Sequence, residues 1–241
     1  MSDSAQLNHT TDERIKKFSK LRKALIRPEL GGIVGTVAVF TFFLIFAHDS
    51  GMFNSRGVMN WSIVSAQFVI IAVGAGLLMI AGEFDLSVGS MIGFAGMMIA
   101  IFSVTLGWPV WVAILVTFVM CLGVGALNGF IVIRTGLPSF IVTLALLFIL
   151  RGLTIFLPQV IVRKTIIGGV KDVAEGDWLA VLFDGKILTG LFSWLGEEGL
   201  IATFERGTRA GQPIVSGVPM LIVWAIVLML FGHFLLTRTQ F

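Results

Sequence analysis

The chain has 241 residues, of which 56% are apolar and only 13% charged, with a formal net charge of +3, one cysteine and 28 glycines. That composition excludes a water-soluble globular domain, and nothing in it points to a nucleic-acid partner; membrane lipid is the expected solvent. Apolar runs of about 20 residues also exclude a barrel, whose strands would be about ten residues each with alternating polarity, so the expected fold is all-α, a polytopic transmembrane helix bundle.

In chain order, residues 1–29 come first and hold Arg14, Lys16, Lys17, Lys20, Arg22, Lys23 and Arg27 against four acids. The excess of positive charge before the first apolar run places the amino terminus in the cytoplasm. Thr10-Thr11-Asp12-Glu13 fits a capping box, and Ile15, Phe18, Leu21 and Leu25 recur at helical spacing between basic residues. The segment reads as a short basic amphipathic helix on the anionic leaflet or, alternatively, as a basic tail serving only as a topology signal. A cleaved signal peptide is not expected, because the charged stretch is long and the apolar run after it is itself long enough to span.

Six spans are expected, at about 30–47, 60–81, 89–106, 109–133, 138–157 and 219–237. They divide the chain into a five-span bundle over 30–157, a large periplasmic loop over 158–218, and a sixth span with the start of a cytoplasmic segment over 219–241. The short loops agree with this orientation: 48–59, outside, holds Arg56 alone, whereas the inside turn at 134–137 holds Arg134 and the last span ends inside at Arg238. Trp61, Trp108 and Trp111 lie near predicted outer ends, as an interfacial aromatic belt requires. Within the long loop, Trp178–Phe183 and Ile187–Leu195 are apolar enough for a short helical hairpin on the outer interface, either a docking surface or a cap over the bundle.

No residue is assigned a catalytic, cofactor-binding or metal-binding role. Cys121 stands alone inside the fourth span, His9, His48 and His233 make no ligand spacing, and no phosphate-binding glycine loop or nucleophile elbow is present. Any nucleotide hydrolysis that drives the protein is therefore expected on a partner. Small residues instead predict helix packing: Gly89, Gly93, Gly96 and Ala100 share one face of the third span, and Gly125 with Gly129 forms a G-x-x-x-G pair.

The candidate pathway or gating groups are polar residues at or within the spans. Glu83 and Asp85 sit in Gly82-Glu83-Phe84-Asp85-Leu86-Ser87-Val88-Gly89 between two spans, Asn128 lies in the inner part of the fourth span, and Arg151 lies about 20 Å beyond Pro138 along the fifth. A continuous helix from Trp61 covers more than about 30 Å by Glu83, which makes the acidic turn cytoplasmic. A helix broken near Gly74 and Gly76 would place the turn deeper, where it could meet Arg151. Arg151 in turn either faces a partner or aqueous path, or snorkels to the outer surface.

These segments carry a resemblance. Residues 82–90, Leu127-Asn128-Gly129, and Leu137-Pro138-Ser139-Phe140-Ile141-Val142-Thr143-Leu144 running to Arg151-Gly152-Leu153 resemble the membrane permeases of bacterial ATP-binding-cassette importers for monosaccharides, of the ribose, xylose and fructose type. The resemblance implies a non-enzymatic, multi-pass subunit of the bacterial inner membrane, with cytoplasmic ATPase subunits that hold ATP, a periplasmic sugar-binding protein, and a second permease subunit, expected to be an identical copy. Asp85, Ser87, Asn128, Gly129 and Arg151 match its motifs, whereas Glu83 stands where many relatives carry a small residue. Relatives also continue past the region of Arg238 into a loop resembling the ATPase-docking element and into further spans, so the chain reads as a truncated product or part of a longer one. The alternatives are an ion-coupled secondary transporter using Glu83, Asp85 and Arg151, and a non-transporting remnant.

Overall fold

The computed structural model describes residues 28–205 and 208–238. The expected amphipathic helix before residue 28 lies outside the described residues. Those described fall into two compact units, divided between Asn54 and Ser55.

The first unit is helix α1, Pro28–Phe46, followed by a 3₁₀ turn at His48–Ser50 that Gly51 ends with φ at 77°. Pro28 suits a helix start because its missing N–H would be unpaired there in any case. Thr36 and Thr41 return their hydroxyl protons to the carbonyls of Gly32 and Val37, at 2.8 Å each, so neither leaves an unpaired donor on an apolar helix.

The second unit contains five helices long and apolar enough to cross a membrane. These are α2 (Ser55–Ile80), α3 (Val88–Ala100, continued by a π-helical turn over Ile101–Thr105), α4 (Val110–Thr135), α5 (Ser139–Val162) and α9 (Met220–Arg238). With α1 they occupy all six expected apolar runs, and the chain is a multi-pass membrane protein of all-α class. Between α5 and α9 lie the short helices α6 (Val170–Val173), α7 (Trp178–Asp184) and α8 (Thr189–Glu197), and a two-residue antiparallel ribbon in which β1 (Lys186–Ile187) pairs with β2 (Val218–Pro219). Gly217 permits that ribbon: at φ 146° its missing Cβ would otherwise stand 2.7 Å from the Ile187 carbonyl.

Prolines set two of the helix starts. Pro109 and Pro138 hold extended backbone immediately before α4 and α5, and their carbonyls accept the first helical bonds, from Val112 and Ala113 and from Ile141 and Val142. A third proline lies inside its helix: α5 continues through the buried Pro158 to Val162, past the expected end at about 157. Proline removes one N–H from the ladder there, which neighbouring helices make tolerable in a membrane helix.

The core is formed by Phe94, Met98 and Ile101 of α3 with Leu150 of α5, flanked by Leu146, Leu153, Leu157 and, from α4, Met120 and Val124. Helix α3 accordingly packs on α5 and α4, whereas α2 packs on α9. In that second pair a side chain at Gly232 would stand 2.9 Å from Val73 Cγ1, so glycine is what allows α9 to approach α2.

Candidate functional site

The acidic turn begins where α2 ends. Helix α2 runs unbroken through Gly74 and Gly76, and its 26 residues are about 39 Å long, enough for a complete crossing. The turn therefore follows a full span, and the broken-helix alternative is not the arrangement adopted. Gly82, at φ 83°, closes α2 with a Schellman pair: its N–H donates to Met79 O at 3.0 Å, and the Glu83 N–H donates to Leu78 O at 3.1 Å.

From there the chain docks onto the start of α5. The Phe84 N–H donates to Ser139 Oγ at 3.0 Å, across 55 residues of sequence. Thr143 Oγ1, one turn further along α5, donates to Ser139 O at 2.9 Å and stands 3.5 Å from Phe84 O. Asp85 Oδ1 accepts from both the backbone N–H of Ser87, at 2.7 Å, and its hydroxyl, at 2.6 Å. Ser87 is 1% exposed and its carbonyl accepts the first bond of α3, from Met91. Asp85 thus orients the residue that starts α3, while Ser139 and Thr143 hold the turn against α5. Glycine fits at 82 because of its left-handed backbone, and serine fits at 139 because the first turn of a helix tolerates a side chain bonded elsewhere.

The other candidate residues lie apart from this cluster. Arg151 is exposed, and at 12 residues past Ser139 it lies about 18 Å along α5 from the acidic turn, so Glu83 and Asp85 do not pair with it. Among the described residues Glu83, Asp85 and Arg151 make no salt bridge, and the one histidine–carboxylate contact is His48 Nε2 to Asp49 Oδ1, at 3.1 Å. Asn128 is 8% exposed, on the buried side of α4, and its Oδ1 has no hydrogen-bond partner among the described residues. A buried, unpaired amide oxygen destabilises by about 1–3 kcal/mol, which is unusual enough to mark the position. Thr117, three turns earlier on the same face, shares the property and was not evident from sequence.

Of the five packing glycines, Gly93 meets a neighbour: an added Cβ would stand 3.8 Å from Thr154 Cγ2 of α5. At Gly89, Gly96, Gly125 and Gly129 nothing lies within 4 Å, so the expected close approach is not made there within the described chain. Sequence reasoning also missed Ser139 and Thr143 as the turn's holders, although both stand in the quoted motif. The available signal was a pair of hydroxyl residues at spacing four, opening a helix directly after proline. Among the described residues no group of three or more His, Cys, Asp and Glu side chains is placed to hold a metal ion.

Residues 57–241 match the family described as the branched-chain amino acid transport system / permease component. The chain belongs to this permease family. It is 31% identical over 233 residues to the xylose transport system permease protein of Escherichia coli K12, covering 87% of this chain and 59% of that protein. It is 28% identical over 229 residues to the xylose permease of Haemophilus influenzae, with 85% and 61% covered, and 33% identical over 129 residues to the fructose import permease protein of Bifidobacterium longum, with 50% and 36% covered. The chain thus spans about three fifths of the length of the xylose permeases it matches. No solved structure matches it significantly.

Proposed function

We propose that this permease is a transmembrane subunit of an ATP-binding-cassette importer and forms part of the pathway for a monosaccharide. The observation that carries the reading is the likeness to xylose permeases over 87% of the chain. The meeting of the motifs at 82–87 and 138–143 in one cluster supports it. In this reading the acidic turn and residues 1–29 face the cytoplasm and the segment between α5 and α9 faces the periplasm. A periplasmic sugar-binding protein delivers the substrate, cytoplasmic ATPase subunits bind and hydrolyse ATP, and a second permease subunit, expected to be an identical copy, completes the pathway.

The chain's own part is mechanical. A sugar cannot cross about 30 Å of hydrocarbon with its hydroxyls unpaired, so the subunit must offer a polar path open to one side at a time. Asp85, Ser87, Ser139 and Thr143 fix the relative positions of α2, α3 and α5 at the cytoplasmic end, so that a push there moves the three together. Asn128 is the candidate whose unpaired oxygen has hydrogen-bonding capacity to spare.

The test is uptake by the full natural gene product, reconstituted in vesicles with its ATPase and binding protein and offered radiolabelled xylose, ribose and fructose in turn. The reading expects accumulation of one of them that requires ATP and the binding protein. Uptake driven by a proton or sodium gradient without ATP would replace it with the ion-coupled alternative, and no uptake of any sugar would favour a non-transporting remnant.

A further inference from the structure

The segment between α5 and α9 is tied to the bundle at several spans. Arg56, at the start of α2, lies over the Phe204 ring at 5.5 Å. The Trp224 indole of α9 donates to Leu182 O at 2.9 Å and its ring stacks on Phe183, while the Met220 N–H donates to Gly185 O at 2.8 Å. Most of these contacts are to α9, the helix that the segment leads into.

Helix α7 also packs on α4, and there one carboxylate bonds the segment to the start of that helix. Asp177 Oδ1 accepts from the N–H groups of Leu179 and Ala180, at 3.0 and 3.1 Å, and so caps α7. Its Oδ2 accepts at 3.0 Å from the N–H of Trp111, in the first turn of α4 and 66 residues away in sequence. Both oxygens are therefore used, each on the start of a different helix, where unpaired N–H groups and the positive end of the helix dipole favour a negative charge. Only a side chain with two acceptor oxygens can do both: asparagine offers one, and its amide N–H₂ would face a donor. Helix α4, 26 residues long, then carries a displacement from Trp111 to the region of Asn128, about 25 Å away.

We propose that Asp177 is a positioning residue for transport, clasping the segment between α5 and α9 to the start of α4 so that a load on that segment moves α4. The proposal rests on the permease reading above, and its test separates the two. In the full natural gene product, in lipid nanodiscs, amide hydrogen exchange is followed at Trp111 and at Leu179–Ala180 for wild type, Asp177→Asn and Asp177→Ala. Loss of a bond to a charged acceptor should speed exchange about tenfold, at both helix starts in the alanine variant and at one of the two in the asparagine variant. Unchanged exchange at Trp111 in the alanine variant would overturn the clasp. In vesicles with the ATPase and binding protein, ATP-driven uptake at saturating sugar should fall about fivefold in Asp177→Asn, while ATP hydrolysis without binding protein stays at the wild-type rate; Asp177→Glu, which keeps two oxygens, should recover part of the loss. Faster exchange with normal uptake would show a clasp that is structural only and overturn the positioning role. A wild-type protein with no ATP-driven uptake would overturn the permease reading and the positioning role with it, leaving the clasp itself to be judged on exchange.

Discussion

Asp85 at one end of the bundle and Asp177 at the other both accept backbone N–H bonds near a helix start, but they are used differently. Asp85 spends one oxygen on its own neighbour Ser87, whereas Asp177 employs both, one on α7 and one on a residue 66 positions away. At the Asp85 end the long-range tie is made instead by neutral hydroxyls, with Ser139 accepting from Phe84. The two ends therefore divide the same tasks, capping a helix and joining distant segments, in opposite ways. A carboxylate that serves only its neighbour can lose its charge and keep its geometry; one that bridges two elements cannot.

The largest effect expected from this contrast is at Asp177. Replacing it with alanine removes a helix cap and a charge-assisted tie together and should lower stability by about 2 kcal/mol, read as a fall in the thermal midpoint of the protein in nanodiscs. An unchanged midpoint would mean that the bridge contributes nothing and the contrast is empty. Ser139→Ala should follow at about 1 kcal/mol, since the Phe84 N–H loses its acceptor, and cysteine labelling at position 84 should become faster as the turn loosens. Asp85→Asn is the sharpening case: asparagine supplies the one oxygen that is used, so stability should change by less than about 0.5 kcal/mol. Reduced uptake in that stable variant would assign a role to the charge itself, separate from the geometry. The smallest stability effect is expected for Arg151→Leu, because the side chain is exposed and lies about 18 Å from the turn; a stable variant that fails in uptake would show that Arg151 faces the pathway or a second subunit.

Much of the helix architecture was legible because membrane solvent enforces it. Every backbone group in hydrocarbon must be paired within its own helix, so a long apolar run has few other fates. Asp85 stood out for the same reason, as a charge between two such runs. Asp177 was invisible: it is one of seven acids in residues 158–218, and its role depends on Trp111, whose proximity is created only by the fold. The fifth span, expected over about 138–157, runs on to Val162, because at 158 the proline ring is buried and the helix continues through it. Glycine spacing did not point to Gly232: within the described chain the G-x-x-x-G pair at 125 and 129 meets nothing within 4 Å, whereas a Cβ at Gly232, outside any such pair, would stand 2.9 Å from Val73 Cγ1. Spacing reports which face is small; only tertiary packing decides whether anything approaches it.

The π-helical turn closing α3 bears on how that helix meets the interface. There Leu106 bonds back to Ile101 O, five residues away, in place of the usual four. An extra residue in a turn shifts the angular phase of all that follows by about 100°. Beyond the turn Gly107, at φ 68°, reverses the chain, and the Trp108 ring lies nearly parallel on Phe102, centroids 4.9 Å apart, with the Trp108 backbone N–H bonded to Phe102 O at 3.0 Å. The tryptophan that sequence position marks as a membrane anchor is thereby half committed to its own helix, where it clamps the end of α3.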